Sequence, residues 1–192
     1  MNRAVFLDRD GVLIEDVHLL TDPRQLRLLP GVPAALRRLR EAGFRLILVS
    51  NQAVVARGLA SEDDVRRIHD ALTGMLRDSG GPPLDGLYFC PHHPEATVEA
   101  YRLDCDCRKP RPGLLLRGAA DHAVELTASF LVGDRLTDVA AGARAGCRTV
   151  LVETGRHAEP LIVTRDPIAP GLRPDHTCSG LPSAADWILD PP

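Results

Sequence analysis

Ala4-Val5-Phe6-Leu7-Asp8-Arg9-Asp10-Gly11 sets four apolar residues directly against two carboxylates and a glycine. The apolar run reads as a short strand buried on both faces, and the acids mark the point where it reaches the rim of a sheet. Outward from this stretch, strand and helix patterns alternate. Residues 32–42 carry Leu36 and Leu39 on one face and Arg37, Arg38 and Arg40 on another, closing at Gly43 as a helix C-cap. Residues 44–49 are nearly continuously apolar, as a buried strand requires. Ser61 is the expected N-cap of a helix whose first turn is acidic (Glu62, Asp63, Asp64). Its apolar stripe runs through Val65, Ile68, Leu72, Met75 and Leu76 to the breaker Gly80-Gly81-Pro82-Pro83.

Further on, the pattern predicts a strand at 86–89, a helix at 112–123, a strand at 129–132 ending at Gly133-Asp134, a small-residue helix at 138–145 and a final strand at 149–152. Repeated β-α units predict an α/β fold: a three-layer, Rossmann-like parallel sheet with helices on both faces. In such sheets ligands bind beyond the carboxyl ends of the strands. Asp8 and Asp10, Ser50 and Asn51, Cys90, and Asp134 each follow a strand and so converge on one rim. The reading is of one domain over 1–192, with a core at about 4–155. The tail, 156–192, is irregular in its 156–182 part, which holds five prolines, and carries a short helix at 184–189.

Bulk properties narrow the class. The 192 residues suit one domain, and 44% hydrophobic with 26% charged residues is an ordinary globular composition. A net charge of −3 with no basic stripe speaks against nucleic acid as a partner. No apolar run approaches the roughly 18 residues that span a bilayer, and the N-terminal sequence lacks the pattern of a signal peptide. A cytoplasmic monomer is expected. Five cysteines, three of them at 90, 105 and 107, favour metal over disulfides in that compartment. Cys147 and Cys178 read as incidental. Arg37, Arg38, Arg40, Arg66 and Arg67 read as solvated helix faces, and His69, His122, His157 and His176 as ordinary.

Chemistry concentrates in four places. Asp8-Arg9-Asp10-Gly11 pairs carboxylates two residues apart; one can attack an electrophile while the other moves a proton. Alone, the tetrapeptide reads equally well as a polar strand end with a turn glycine. Ser50-Asn51 offers a hydroxyl and an amide to phosphate oxygens. Lys109 offers a point cation. Gly133-Asp134-Arg135-Leu136-Thr137-Asp138 adds an acid that, with Asp8, suits a hard divalent ion. Separately, Cys90-Pro91-His92-His93 and Cys105-Asp106-Cys107 form two close pairs of soft or borderline metal ligands, and the second runs into Arg108-Lys109. Cys90, His92, Cys105 and Cys107 make a closed Cys3His set with no open position, which points to structural zinc; His93 is the rival ligand.

Asp8-Arg9-Asp10-Gly11-Val12, Ser50-Asn51-Gln52, Lys109-Pro110 and Gly133-Asp134-(x)3-Asp138 resemble the four motifs of the haloacid dehalogenase superfamily, over roughly residues 4–155. The Cys-Pro-His-His-Pro and Cys-x-Cys-Arg-Lys-Pro segments resemble its capless, zinc-containing branch of heptose bisphosphate and histidinol-phosphate phosphatases. The resemblance implies a capless fold with a zinc-stabilised loop. It implies Asp8 as nucleophile, Asp10 as general acid/base, and Ser50 and Lys109 as stabilisers of the phosphoryl group. Mg2+ would sit on Asp8, Asp134 and the backbone carbonyl of Asp10. The first histidine of the pair, His92, is the implied zinc ligand. Arg9, Asp16, His18, Asn51, Gln52, Arg57, Arg108 and Arg135 are the expected substrate contacts, and zinc is expected to hold Arg108 and Lys109 in place.

The stretch from His93 to Arg102 between the zinc pairs resembles the heptose branch; the histidinol branch has a shorter connection. The expected reaction is therefore Mg2+-dependent hydrolysis of a small sugar phosphate, the C7 phosphate of D-glycero-D-manno-heptose 1,7-bisphosphate. The alternatives are a histidinol-phosphate phosphatase and a catalytically weak relative serving as a binding module. One departure stands out: Ala53-Val54-Val55-Ala56-Arg57-Gly58 replaces the Ser-Gly-Ile-Ala-Arg-Gly common in relatives. Valine in place of glycine removes easy access to positive φ and stiffens the expected substrate mouth.

Overall fold

A computed structural model describes residues 2–158 and 166–190. Six parallel strands form one sheet: β1 (Arg3–Leu7), β2 (Phe44–Asn51), β3 (Gly86–Cys90), β4 (Phe130–Gly133), β5 (Arg148–Val152) and β6 (His176–Cys178), in the order β3-β2-β1-β4-β5-β6. Six helices cover it: α1 (Val32–Glu41), α2 (Ala53–Ala56), α3 (Glu62–Asp78), α4 (Gly113–His122), α5 (Leu136–Ala145) and α6 (Leu181–Leu189).

The pleat of β1 sorts the two layers. Val5 and Leu7 pack with α1, α3 and α6, whereas Ala4 and Phe6 pack with α4 and α5. All four are fully buried, as their unbroken apolar sequence predicts. From β1 the chain winds outward through β2 and β3; it then returns to β1's other side and winds outward again through β4, β5 and β6. The gap between β1 and β4 is thus the switch point of the sheet, where diverging loops leave room for a ligand. Asp8 follows β1 and Asp134 follows β4, so the two carboxylates flank that point. The Asp8 amide still continues the ladder, donating to Val132 O at 3.0 Å.

Ser61 caps α3 as expected, accepting from the Asp64 amide while Asp64 answers to the Ser61 amide. α5 starts two residues earlier than the sequence pattern suggests, because Asp138 reaches back to the Arg135 amide at 3.0 Å. The tail also departs from its reading. The sheet does not stop at β5: three residues of β6 pair with it, joined by Asp175, which accepts from the Thr149 amide at 2.7 Å. A strand of three half-buried or exposed residues has no periodicity to detect. α6 begins at Leu181 rather than 184, with Pro182 in the first turn, where its missing N–H costs nothing. Within the tail, 159–165 and 191–192 lie outside the described residues. Among the described residues, no helix is long and apolar enough to cross a membrane.

Candidate active site

Lys109 lies at the centre of the rim and is the only lysine in the chain, against 23 lysines and arginines together. Its ammonium has three partners: Asp8 Oδ1 at 3.0 Å, Asp138 Oδ1 at 2.6 Å and Val49 O at 2.9 Å. Burial opposes the charge, but Asp138 and Asp8 outweigh it and hold the ammonium above its usual pKa. Its backbone is fixed independently. Asn51 at the end of β2 accepts from the Lys109 amide and donates to the Lys109 carbonyl, both at 3.0 Å. A compact ammonium suits this three-way site where a planar guanidinium does not.

Asp134 is 1% exposed and accepts from the Arg156 amide at 2.7 Å. Two glycines make room for it. A Cβ on Gly155 would lie 2.1 Å from Asp134 Oδ2; one on Gly11, whose φ is +76°, would lie 2.7 Å away. Burial, followed by the charges of Asp138 and Asp8, pushes the Asp134 carboxyl up to about 8. Carboxylate oxygens of Asp8, Asp134 and Asp138 lie within 4.8 Å of one another. One lysine against three buried carboxylates leaves negative charge uncompensated, which a hard divalent cation would neutralise. Asp138 is already committed to Lys109 and the Arg135 amide, so Asp8 and Asp134 are the carboxylates left for such an ion. The residues present fit magnesium.

Asp10 faces a different network. Arg9 spans its carboxylate, with Nη2 at 3.0 Å and Nε at 3.2 Å from Oδ2. Gln52 donates to Asp10 Oδ2 at 3.1 Å and to Ser50 Oγ at 2.8 Å, and accepts from Arg9 Nη2 at 2.8 Å.

The second cluster lies beyond β3. Cys90, Cys105 and Cys107 have S···S separations of 3.6, 3.1 and 3.3 Å, and His92 Nδ1 is 3.8 Å from Cys90 Sγ and 3.4 Å from Cys107 Sγ. The four donors are gathered as a tetrahedral site requires, with S···S edges somewhat tighter than the roughly 3.8 Å set by Zn–S near 2.3 Å. The crowded thiols share their protons unequally: contact with Cys90 pulls Cys107 down to about 5, while contact with Cys107, then burial, push Cys90 up. This is a donor set made for a soft cation. His93 lies outside it, with Nδ1 accepting from the Glu95 amide at 3.1 Å, and lines the cleft instead.

A cleft of about 280 Å³ opens above both networks. Arg57, Arg108, Arg135, Asp16 and His18 line it. Arg108 reaches it from the cysteine–histidine loop, with Nη1 donating to His92 O at 3.0 Å. Three more of the named residues, Arg9, Asn51 and Gln52, line the floor of the cleft while bonded within the rim. Arg9 and Gln52 are 1% and 3% exposed and bound to each other and to Asp10, and Asn51 has both ends of its amide on Lys109. Polar groups at a strand end are read from sequence as ligand-facing, but here they satisfy the buried rim first. Arg156 goes unnoticed in the sequence because it follows the last recognisable strand; it bonds Asp16 Oδ2 at 2.5 Å. Asp138 is visible as part of a motif, without an assignable partner. His69 is buried and uncharged, its pKa brought down to about 3 by burial and by Arg9.

Val54 and Val55 show why the departure from Gly-Ile is tolerated. They sit in the short helix α2, 2% exposed and packed on Val65, where no positive φ is needed; Gly58 takes the left-handed turn at φ +69°.

The fold and this acid–lysine rim define a haloacid dehalogenase-like hydrolase, and the HAD-hydrolase-like family model matches residues 106–184. Relatives matching 80–97% of the chain narrow the class. D-glycero-beta-D-manno-heptose-1,7-bisphosphate 7-phosphatase of Photorhabdus laumondii is 42% identical over 80% of this chain and 81% of its own. The protein of the same name from Escherichia coli K12 is 37% identical over 97% and 88%. A crystal structure of D,D-heptose 1,7-bisphosphate phosphatase from B. bronchiseptica, complexed with magnesium and phosphate, superposes with a TM-score of 0.80. It has 34% identity and covers 97% of this chain and 98% of that one. The chain belongs to the D-glycero-beta-D-manno-heptose-1,7-bisphosphate 7-phosphatase family.

Proposed function

We propose that this protein hydrolyses the C7 phosphate of D-glycero-beta-D-manno-heptose 1,7-bisphosphate, releasing inorganic phosphate through an aspartyl-phosphate. The observation that carries this reading is the buried grouping of Asp8, Lys109, Asp138 and Asp134 at the switch point, open to the cleft. A carboxylate held 3.0 Å from an ammonium is oriented for in-line attack, and the ammonium faces the charge that develops on the phosphoryl oxygens.

In the first half-reaction, a carboxylate oxygen of Asp8 forms a bond to phosphorus as the bond to the C7 oxygen breaks. The departing oxygen takes its proton from Asp10. In the second, Asp10 accepts a proton from water as the water oxygen bonds phosphorus and the bond to Asp8 breaks; this restores the carboxylate and frees phosphate. Ser50, at the end of β2, is placed by Gln52 to donate to a phosphoryl oxygen. Asp8, Asp134 and the Asp10 carbonyl would hold Mg2+. Bound there, it supplies the positive charge that offsets buried carboxylates and phosphate together. Cys90, His92, Cys105 and Cys107 would hold a structural zinc. Arg57, Arg108 and Arg135 would meet the rest of an anionic substrate.

The relatives' names support the heptose bisphosphate over histidinol phosphate. A monomer is proposed from the chain's size and composition, and sedimentation checks it. The decisive experiment measures phosphate release from both anomers of the heptose bisphosphate and from histidinol phosphate, for the wild type and Asp8→Asn. The variant is expected to fall below about a thousandth of wild-type turnover. Wild-type-level release by Asp8→Asn would remove the nucleophile, and preference for histidinol phosphate would replace the substrate.

A further inference from the structure

Arg9 stands between the nucleophile and the proton-transfer carboxylate, in the floor of the cleft and almost wholly shielded from solvent. Its side chain is 1% exposed, against 24% for the Asp10 carboxylate it holds. Four contacts of 3.0–3.3 Å join Nε and Nη2 of the guanidinium to both oxygens of Asp10. Gln52 closes the arrangement from the other side, taking Arg9 Nη2 on its carbonyl oxygen and giving its amide to Asp10 and Ser50. The carboxylate is thus held from behind by donors on two elements, with its free edge toward the cleft.

This clamp is not needed to build the turn. The main-chain carbonyl of Arg9 accepts from the Leu13 and Ile14 amides at 3.0 and 3.1 Å, so the backbone is closed without help from the side chain. Nor does packing call for a charge, since an apolar residue fills such a position at lower desolvation cost. What a guanidinium alone provides is a planar fork that fixes a carboxylate in direction as well as distance.

We infer that Arg9, supported by Gln52, is a positioning residue that aims Asp10 at the leaving-group oxygen. The inference rests on the proposed role of Asp10 as proton donor, and the test separates the two. An alkyl phosphate such as the heptose bisphosphate leaves as a poor alkoxide and needs the proton; p-nitrophenyl phosphate leaves as a stable phenolate and does not. Because kcat/KM reports steps through release of the leaving group, comparing it for the two substrates isolates aim from general damage.

Arg9→Lys keeps the charge and loses the fork. Its kcat/KM for the heptose bisphosphate is expected to fall roughly 10- to 100-fold, within the span of general acid catalysis, while the value for p-nitrophenyl phosphate stays within about threefold. Gln52→Met keeps the volume and removes the amide that joins Arg9, Asp10 and Ser50; on top of a loss common to both substrates through Ser50, it should show the same selectivity with a smaller ratio. Equal losses on both substrates, or none on either, overturn the inference. If Arg9→Lys does not fold by circular dichroism, Gln52→Met decides alone: unchanged selectivity there overturns the inference. Asp10→Ala is run alongside. If it too shows no dependence on the leaving group, the assignment of Asp10 has failed and the inference falls with it; dependence at Asp10 with none at Arg9 overturns the inference alone.

Discussion

The two ligand clusters of this protein are built on opposite plans. The acidic rim takes Asp8, Asp134 and Lys109 from the ends of strands or from a loop pinned to one, so the sheet positions its charges before any ion arrives. The sulfur cluster takes one residue from the end of β3 and three from residues 91–107, a segment whose only regular structure is one 3-10 turn at Glu99–Tyr101. The two plans meet at adjacent residues. Arg108 is tied to the cysteine–histidine loop through His92 O, whereas Lys109 is tied to β2 through Asn51 and Val49. Sequence reading treats Arg108-Lys109 as one device held by zinc. The structure divides it into one cation that depends on the loop and one that depends on the sheet.

The largest effect expected from this contrast is at Lys109. Lys109→Met leaves two buried carboxylates facing each other without their cation, a change that costs about 3–5 kcal/mol when a buried pair loses one partner. Urea unfolding should show that loss, and turnover should fall about a thousandfold. Activity within tenfold of wild type would mean that the sheet-framed half is not where the chemistry happens. Removing zinc, by chelation or by Cys107→Ser, should act mainly on the other half. KM for the heptose bisphosphate is expected to rise roughly tenfold or more as Arg108 loses its anchor, kcat to change less than KM, and proteolysis within 91–107 to accelerate. A collapse of kcat at unchanged KM would merge the two regions into one.

The smallest effect is a pH dependence. Asp134 has its pKa raised to about 8, so the native state keeps a proton that the unfolded chain gives up near 4. Its contribution to stability is present at low pH and lost as pH rises through about 8. His69, depressed to about 3, works in the opposite direction but only below its unfolded value near 6.5. For zinc-loaded, magnesium-free protein, Tm should therefore decline by a few degrees between about pH 6.5 and 8, and added Mg2+ should restore most at the upper end. A flat or rising Tm would show that the rim does not carry unbalanced negative charge.

Much of this was legible from residue order. Ala4-Val5-Phe6-Leu7 could only be a core strand, and parallel topology then forces Asp8, Ser50 and Asp134 onto one edge. The Cys and His spacing likewise announces a soft-metal cluster. What sequence did not reveal is how the polar residues pair with one another. Asn51 and Gln52 border the cleft, yet their amides are bonded to Lys109 and to Arg9, Asp10 and Ser50, long-range pairings that no local pattern announces. β6 escaped for a related reason: its place comes from Asp175 bonding Thr149, a long-range pairing that leaves no periodic trace. Even the signal of a single lysine among many arginines is compositional and carries meaning only once its three partners are seen.

That solitary lysine has a practical consequence. Lys109 carries the only side-chain primary amine in the molecule and is 1% exposed, with all its ammonium protons engaged. An acylating reagent meeting the native protein should therefore find the chain terminus and leave the side chain untouched. Mass gained at Lys109 would count the molecules whose rim has opened, so its growth with time reports the breathing of the active site.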